Sequence, residues 1–232
     1  MNLKDLMGFI FSITLLLPII LIIALRLYRM KSFIALGIYY SLTFFDMMMM
    51  QKFMPADESF RRIYGVTINL LDVPLMLTFL VYFNPSLRLS KQMKYLSLVF
   101  IVFEIIVTLL MGYNRNALTI IIGPGLFIIL FFCAMFFIRQ IKIAITLRKG
   151  IGKAIMISSF LFVFGCYSFI YVMHYIIRTP DTADVYIMYL ISSALSSILV
   201  FAGLMIESQR ICKLQELLVT RHELSQVYKK EI

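Results

Sequence analysis

The chain has 232 residues, 62% of them hydrophobic and 15% charged, with a mean hydropathy of +0.94 and a formal net charge of +10. A soluble domain is roughly half apolar and a quarter charged, and it must cover its surface with polar atoms. One water-soluble core is therefore excluded, and lipid is the expected solvent. The basic residues fall almost entirely between apolar runs, which ties them to membrane orientation and anionic headgroups rather than to nucleic acid.

Seven apolar segments near 20 residues each follow one another at 7–26, 33–51, 64–83, 94–112, 117–138, 154–177 and 185–206. Each is long enough for about 30 Å of hydrocarbon. The first is followed by Arg26, Arg29 and Lys31 rather than a small-residue cleavage site, so it is expected to stay in the membrane. Segment two carries Tyr39, Thr43 and Asp46 at helical spacing, and segment three carries Asn69 and Asp72. Glu104 and Thr108 share a face of segment four. Segment six brings Tyr167, Tyr171 and His174 together, and segment seven has a stripe of Tyr189, Ser192, Ser193, Ser196 and Gly203. Turn residues punctuate the connections: Pro55, Asn84-Pro85, Gly112, Gly150, Gly152 and Thr179-Pro180-Asp181. No alternating ten-residue pattern repeats, so helices rather than a barrel satisfy the backbone in lipid. A duplicated half is not visible.

Lysine and arginine set the orientation. The connections after segments one, three and five hold Arg26, Arg29, Lys31, Arg88, Lys91, Lys94, Arg139, Lys142, Arg148, Lys149 and Lys153; the others hold Lys52, Arg61, Arg62, Arg115 and Arg178. The richer side is cytoplasmic. The expected fold is an all-α integral membrane protein: a seven-transmembrane-helix bundle, N-terminus outside and C-terminus cytoplasmic, with a C-terminal amphipathic cytoplasmic helix. Residues 1–206 form the transmembrane domain. Residues 207–232 form the tail, in which Leu214, Leu217, Arg221, Leu224 and Tyr228 step by three and four. That rhythm suits a short coiled-coil contact or a basic helix on the membrane surface. Abundant Ile, Phe, Met and Lys without tryptophan points to the inner membrane of a bacterium with an AT-rich genome.

Three acids, Asp46, Asp72 and Glu104, fall inside apolar segments, and no lysine or arginine sits near the middle of any segment. An ionised carboxylate there costs roughly 2.5–3.5 kcal/mol on insertion scales, so these are the leading functional positions, neutralised by a proton or a bound cation. The ligand- or ion-binding set expected from helical spacing is Asp72, Glu104, Asp46, Asn69, Tyr171, His174, Ser193 and Ser196, converging on a cavity that reaches from the outer side to the midplane. Plainer roles stand beside these. A small-residue stripe packs helices more often than it binds ligands, tyrosines bridge helices, and a histidine near the interface is commonly hydrogen-bonded.

Several chemistries lack their residues. Segment seven has no lysine for a retinal Schiff base, and two histidines, His174 and His222, are too few for a zinc hydrolase. There is no GxSxG motif, and no phosphate-binding glycine loop or nucleic-acid motif. Arg221-His222-Glu223-Leu224 lacks the proline and the ATP-binding domain of a sensor kinase. The cysteines Cys133, Cys166 and Cys212 form no CxxC pair, and Met47 to Met50 with Met54 point in different directions on a helix, so neither a cofactor nor a metal is expected. The expected function is a sensor or receptor module whose outward-facing pocket couples to the tail, with a small molecule or cation as ligand and a cytoplasmic signalling protein or a second copy as partner. A small proton- or cation-coupled transporter is the alternative, and an intramembrane acid–base hydrolase using Asp72 and Glu104 the next.

Overall fold

A computed structural model describes residues 3–84, 86–177 and 182–230. Within them lie seven long helices and no strand: α1 Leu3–Ala24, α2 Lys31–Met50, α3 Glu58–Leu80, α4 Leu87–Met111, α5 Arg115–Leu147, α6 Ile151–Tyr171 and α7 Thr182–Lys230. All seven are long and apolar enough to cross a membrane. Helices are the solution because each closes its own backbone hydrogen bonds where no water is available.

The helices outrun their apolar stretches. Arg61 and Arg62 belong to α3, Arg88, Lys91 and Lys94 to α4, Arg139 and Lys142 to α5, and Lys153 to α6, where the sequence reading had them in connections. Hydropathy falls at the first charges, but arginine and lysine are good helix formers, and their long stems lie along apolar surface while the heads reach water. The connections close tightly. Asn114 Oδ1 accepts from Ala117 N at 3.0 Å and caps α5. Asn84 Oδ1 accepts from Ser86 N at 3.0 Å, an Asx turn that ends the α3 side of its loop.

The packing order is a ring. Neighbouring pairs run α1–α2, α2–α3, α3–α5, α5–α6, α6–α7 and α7–α1, while α4 packs outside it against α3 and α5. Phenylalanines fill the interior: Phe79 meets Phe160 at 5.2 Å, Phe83 at 5.4 Å and Phe33 at 6.1 Å between ring centres. The outer surface is apolar too. Leu109 and Leu110 on α4 are each 80% exposed, and Phe127 on α5 is 72% exposed. In water such a surface would drive aggregation; against acyl chains it is the solvated face.

The α6–α7 seam is the closest approach. A Cβ added at Gly152 would lie 2.7 Å from the Gly203 carbonyl oxygen and 2.8 Å from Glu207 N. Two turns further on, Ser159 Oγ donates to the Ser196 carbonyl oxygen at 2.8 Å and lies 2.8 Å from Ser196 Oγ. Small residues let the backbones meet and their hydroxyls bond across the gap. After Tyr171 the chain widens into a π turn, Val172–Ile176, while α7 runs 49 residues without interruption.

Candidate functional site

One cavity of about 290 Å³ lies inside the ring, walled by five helices. From α2 come Tyr39, Thr43 and Asp46, and from α3 Asn69 and Asp72; α6 gives Tyr167 and Tyr171, and α7 gives Tyr189. The helical spacing anticipated these faces. It did not anticipate α5, whose Ile121, Ile122, Leu126 and Ile129 form an apolar wall. The unused signal is Gly123-Pro124-Gly125. A Cβ at Gly123 would stand 2.8 Å from the Tyr171 hydroxyl oxygen, and one at Gly125 would stand 2.6 Å from Val73 Cγ2 and 3.1 Å from Phe100 Cζ. The two glycines admit α6 on one side and α3 and α4 on the other. Larger residues there would push the cavity walls apart.

The aromatic side of the cavity is ordered by hydrogen bonds. Tyr167 and Tyr189 stack with ring centres 5.1 Å apart. The Tyr167 hydroxyl lies 2.6 Å from Ser193 Oγ, which donates to the Tyr189 carbonyl oxygen at 2.5 Å. The Tyr171 hydroxyl donates to the Thr119 carbonyl oxygen at 2.8 Å and ties α6 to α5. Opposite them, Asn69 Nδ2 donates to the Gly65 carbonyl oxygen at 2.6 Å.

The acids are distributed rather than gathered. Asp46 and Asp72 line the cavity, and Asp72 is within electrostatic reach of both Asp46 and Glu104. Arg61 is the cation that Asp46 feels. Among the described residues, neither Asp46 nor Asp72 makes a salt bridge, and no three His, Cys, Asp or Glu side chains come together to hold a metal ion. Glu104 is different. It sits on the outer helix α4, is 5% exposed, and does not line the cavity. Its Oε1 is fully buried with no hydrogen-bond partner. A buried polar atom in that state costs about 1–3 kcal/mol.

Of the residues the sequence singled out, Asp46, Asn69, Asp72 and Tyr171 therefore share one cavity. Ser193 acts through Tyr167 just behind the wall, and Ser196 faces Ser159 across the α6–α7 seam. The side chain of His174 lies outside the described residues. Asp72 lines the cavity and Glu104 does not.

Two carboxyl groups and four tyrosine rings line the same space, groups whose chemistry suits a cation. Carboxylates supply charge complementarity, and ring faces attract cations within about 6 Å of their centres. The space is near the lower end of ligand pockets, roughly 300–1,000 Å³, and fits a small molecule. No protein-family model matches the sequence, and no curated protein or solved structure matches it.

Proposed function

We propose that this chain is a receptor-type membrane module that binds a small organic cation, an amine or quaternary ammonium, between Asp46, Asp72 and the tyrosines, and passes occupancy along α7. The observation that carries the reading is the course of α7. The same helix supplies Tyr189 to the cavity wall, Glu207 and Arg210 to a buried polar contact at the other end of the bundle, and a backbone that stays helical to Lys230. At about 1.5 Å per residue it extends roughly 70 Å, more than twice the hydrocarbon thickness. A rigid element touching both ends is what a change at one needs in order to bias the other.

In this proposal the basic end of the bundle is cytoplasmic, so the N-terminus is outside, the cavity belongs to the outer half, and the tail is a cytoplasmic helix that engages a signalling protein or a second copy. A bacterial inner membrane is the proposed location. The test is ligand-dependent thermal stabilisation of the purified protein by a panel of small amines and quaternary ammonium ions. The proposal expects saturable stabilisation that Asp72→Asn weakens at least tenfold; a panel that stabilises neither protein sinks it.

A second reading is favoured by one observation, the unpartnered Glu104 oxygen near Asp72. A carboxyl without a fixed partner is suited to taking up and releasing a proton, as a proton-coupled transporter requires. Solute uptake into liposomes driven by a pH gradient, and lost in Glu104→Gln, would move this reading ahead of the receptor.

A further inference from the structure

A second pocket, about 220 Å³ in volume, lies where α5 ends and α6 begins. Four cationic side chains line it: Arg139 on α5, Lys149 in the turn, Lys153 on α6 and Arg210 on α7. One carboxylate, Glu207, stands near them and is already committed. It is 1% exposed, accepts from the Tyr82 hydroxyl, and pairs with Arg210, whose Nε lies 3.0 Å from both of its oxygens. This is the ion pair found among the described residues, so Arg139, Lys149 and Lys153 face the pocket with no described carboxylate in salt-bridge range. Lys153 Nζ sits 4.1 Å from the centre of the Tyr82 ring and reaches the Tyr82 carbonyl oxygen at a long 3.5 Å.

The backbone adds to this charge. Arg148 and Gly150 both adopt the left-handed conformation, with φ of 49° and 73°, which closes the reversal between α5 and α6 in three residues. Gly150 is the N-cap of α6 and has no side chain to accept from the first-turn amides. The positive end of a 21-residue helix is therefore uncapped at the pocket wall. Gln140 and Asn84 supply neutral polar groups, and Gln140 is held by its Nε2 donating to the Phe83 carbonyl oxygen at 3.1 Å. Three cations with no carboxylate in salt-bridge range surround a space beside the N-terminus of α6, an arrangement that an anion between them would stabilise.

We infer that this pocket binds a phosphate-bearing anion, either the headgroup of an anionic phospholipid or a free phosphate ester. Phosphate suits the donor set: guanidinium and ammonium groups with backbone N–H groups match its charge and its acceptor oxygens. The inference is independent of what the cavity at the other end binds.

The experiment uses the full-length protein in nanodiscs of phosphatidylcholine. Retention of phosphatidylglycerol is measured by native mass spectrometry, and binding of inorganic phosphate by calorimetry. Lys149→Gln and Arg139→Gln remove exposed pocket charges, and Lys142→Gln removes an exposed charge of α5 outside the pocket. Phosphatidylglycerol should be retained over phosphatidylcholine, with affinity falling about fivefold for each pocket charge removed and holding steady in Lys142→Gln. Inorganic phosphate bound with the same sensitivity, in the absence of phosphatidylglycerol retention, supports the pocket with a free phosphate ester as its ligand. Binding of neither probe, or equal weakening by Lys142→Gln, overturns the inference and reduces these cations to surface charge.

Discussion

Gly152→Ala is the sharpest perturbation of the α6–α7 seam. The added methyl would lie 2.7 Å from the Gly203 carbonyl oxygen, 2.8 Å from Glu207 N and 3.0 Å from Glu207 Cβ. The two nearest of these are backbone atoms, so no side-chain rotation relieves the contact and the helices must separate by several tenths of an ångström. Overpacking of this kind costs about 1–3 kcal/mol. Alanine also gains helix propensity over glycine, by up to about 1 kcal/mol. Gly165 on the same helix removes that ambiguity, because a Cβ there meets nothing within 4 Å. Gly165→Ala should be neutral or slightly stabilising, and the difference between the two variants should be about 1–3 kcal/mol, the cost of the clash alone. Reversible unfolding in mixed micelles, followed by helical circular dichroism, measures both. Equal stability of the two variants would refute the close backbone approach of α6 and α7.

Arg210→Gln leaves Glu207 buried without its counter-charge, so it should destabilise more than the double variant Glu207→Gln, Arg210→Gln; a double-mutant cycle should give a coupling of about 1–3 kcal/mol, and a coupling near zero would contradict the buried pair. Glu104→Met replaces an unpartnered buried carboxyl with an apolar chain of similar length, so unfolding in the same micelles should show stability unchanged or raised by about 1–3 kcal/mol; a clear loss would mean that Glu104 has a structural partner. Gln140→Leu gives up the hydrogen bond to the Phe83 carbonyl oxygen and should cost about 1 kcal/mol, measured the same way. Cys212 is the exposed native thiol, whereas Cys133 is buried. A membrane-impermeant maleimide should leave Cys212 unlabelled in intact cells and label it in inverted vesicles; labelling from outside would reverse the proposed orientation.

The seven helices could be read from the sequence because in lipid the hydropathy of a segment nearly determines its structure, and because Pro55, Asn84, Gly112 and Gly150 interrupt the runs. Helix ends were harder to read, since Arg61, Lys91 and Lys142 mark where the apolar surface stops rather than where the hydrogen-bonded backbone does. Period-3.6 reasoning brought Asp46, Asn69, Asp72 and Tyr171 to their helix faces. It cannot say which helices are neighbours. The outer position of α4, which removes Glu104 from the cavity wall, is a tertiary fact, and so is the partnership of Ser196 with Ser159. The basic pocket was hidden for the same reason. Arg139, Lys149 and Lys153 read as charges of one connection, and the contact between Tyr82 and Glu207 joins residues 125 positions apart. Gly123-Pro124-Gly125 was visible as letters, but its meaning depends on the side chains that three other helices press against it.

Copurification from native membranes decides whether α7 carries a signal from the cavity to a partner. The full-length protein is compared with a chain ended after Leu214. A cut after Gln209 would remove Arg210 and strand the Glu207 carboxylate, confusing a lost partner with a loosened bundle. A soluble protein, or a second copy, should be retained by the full-length chain and lost from the shortened one while both remain folded. Identical interaction profiles from the two chains would contradict it.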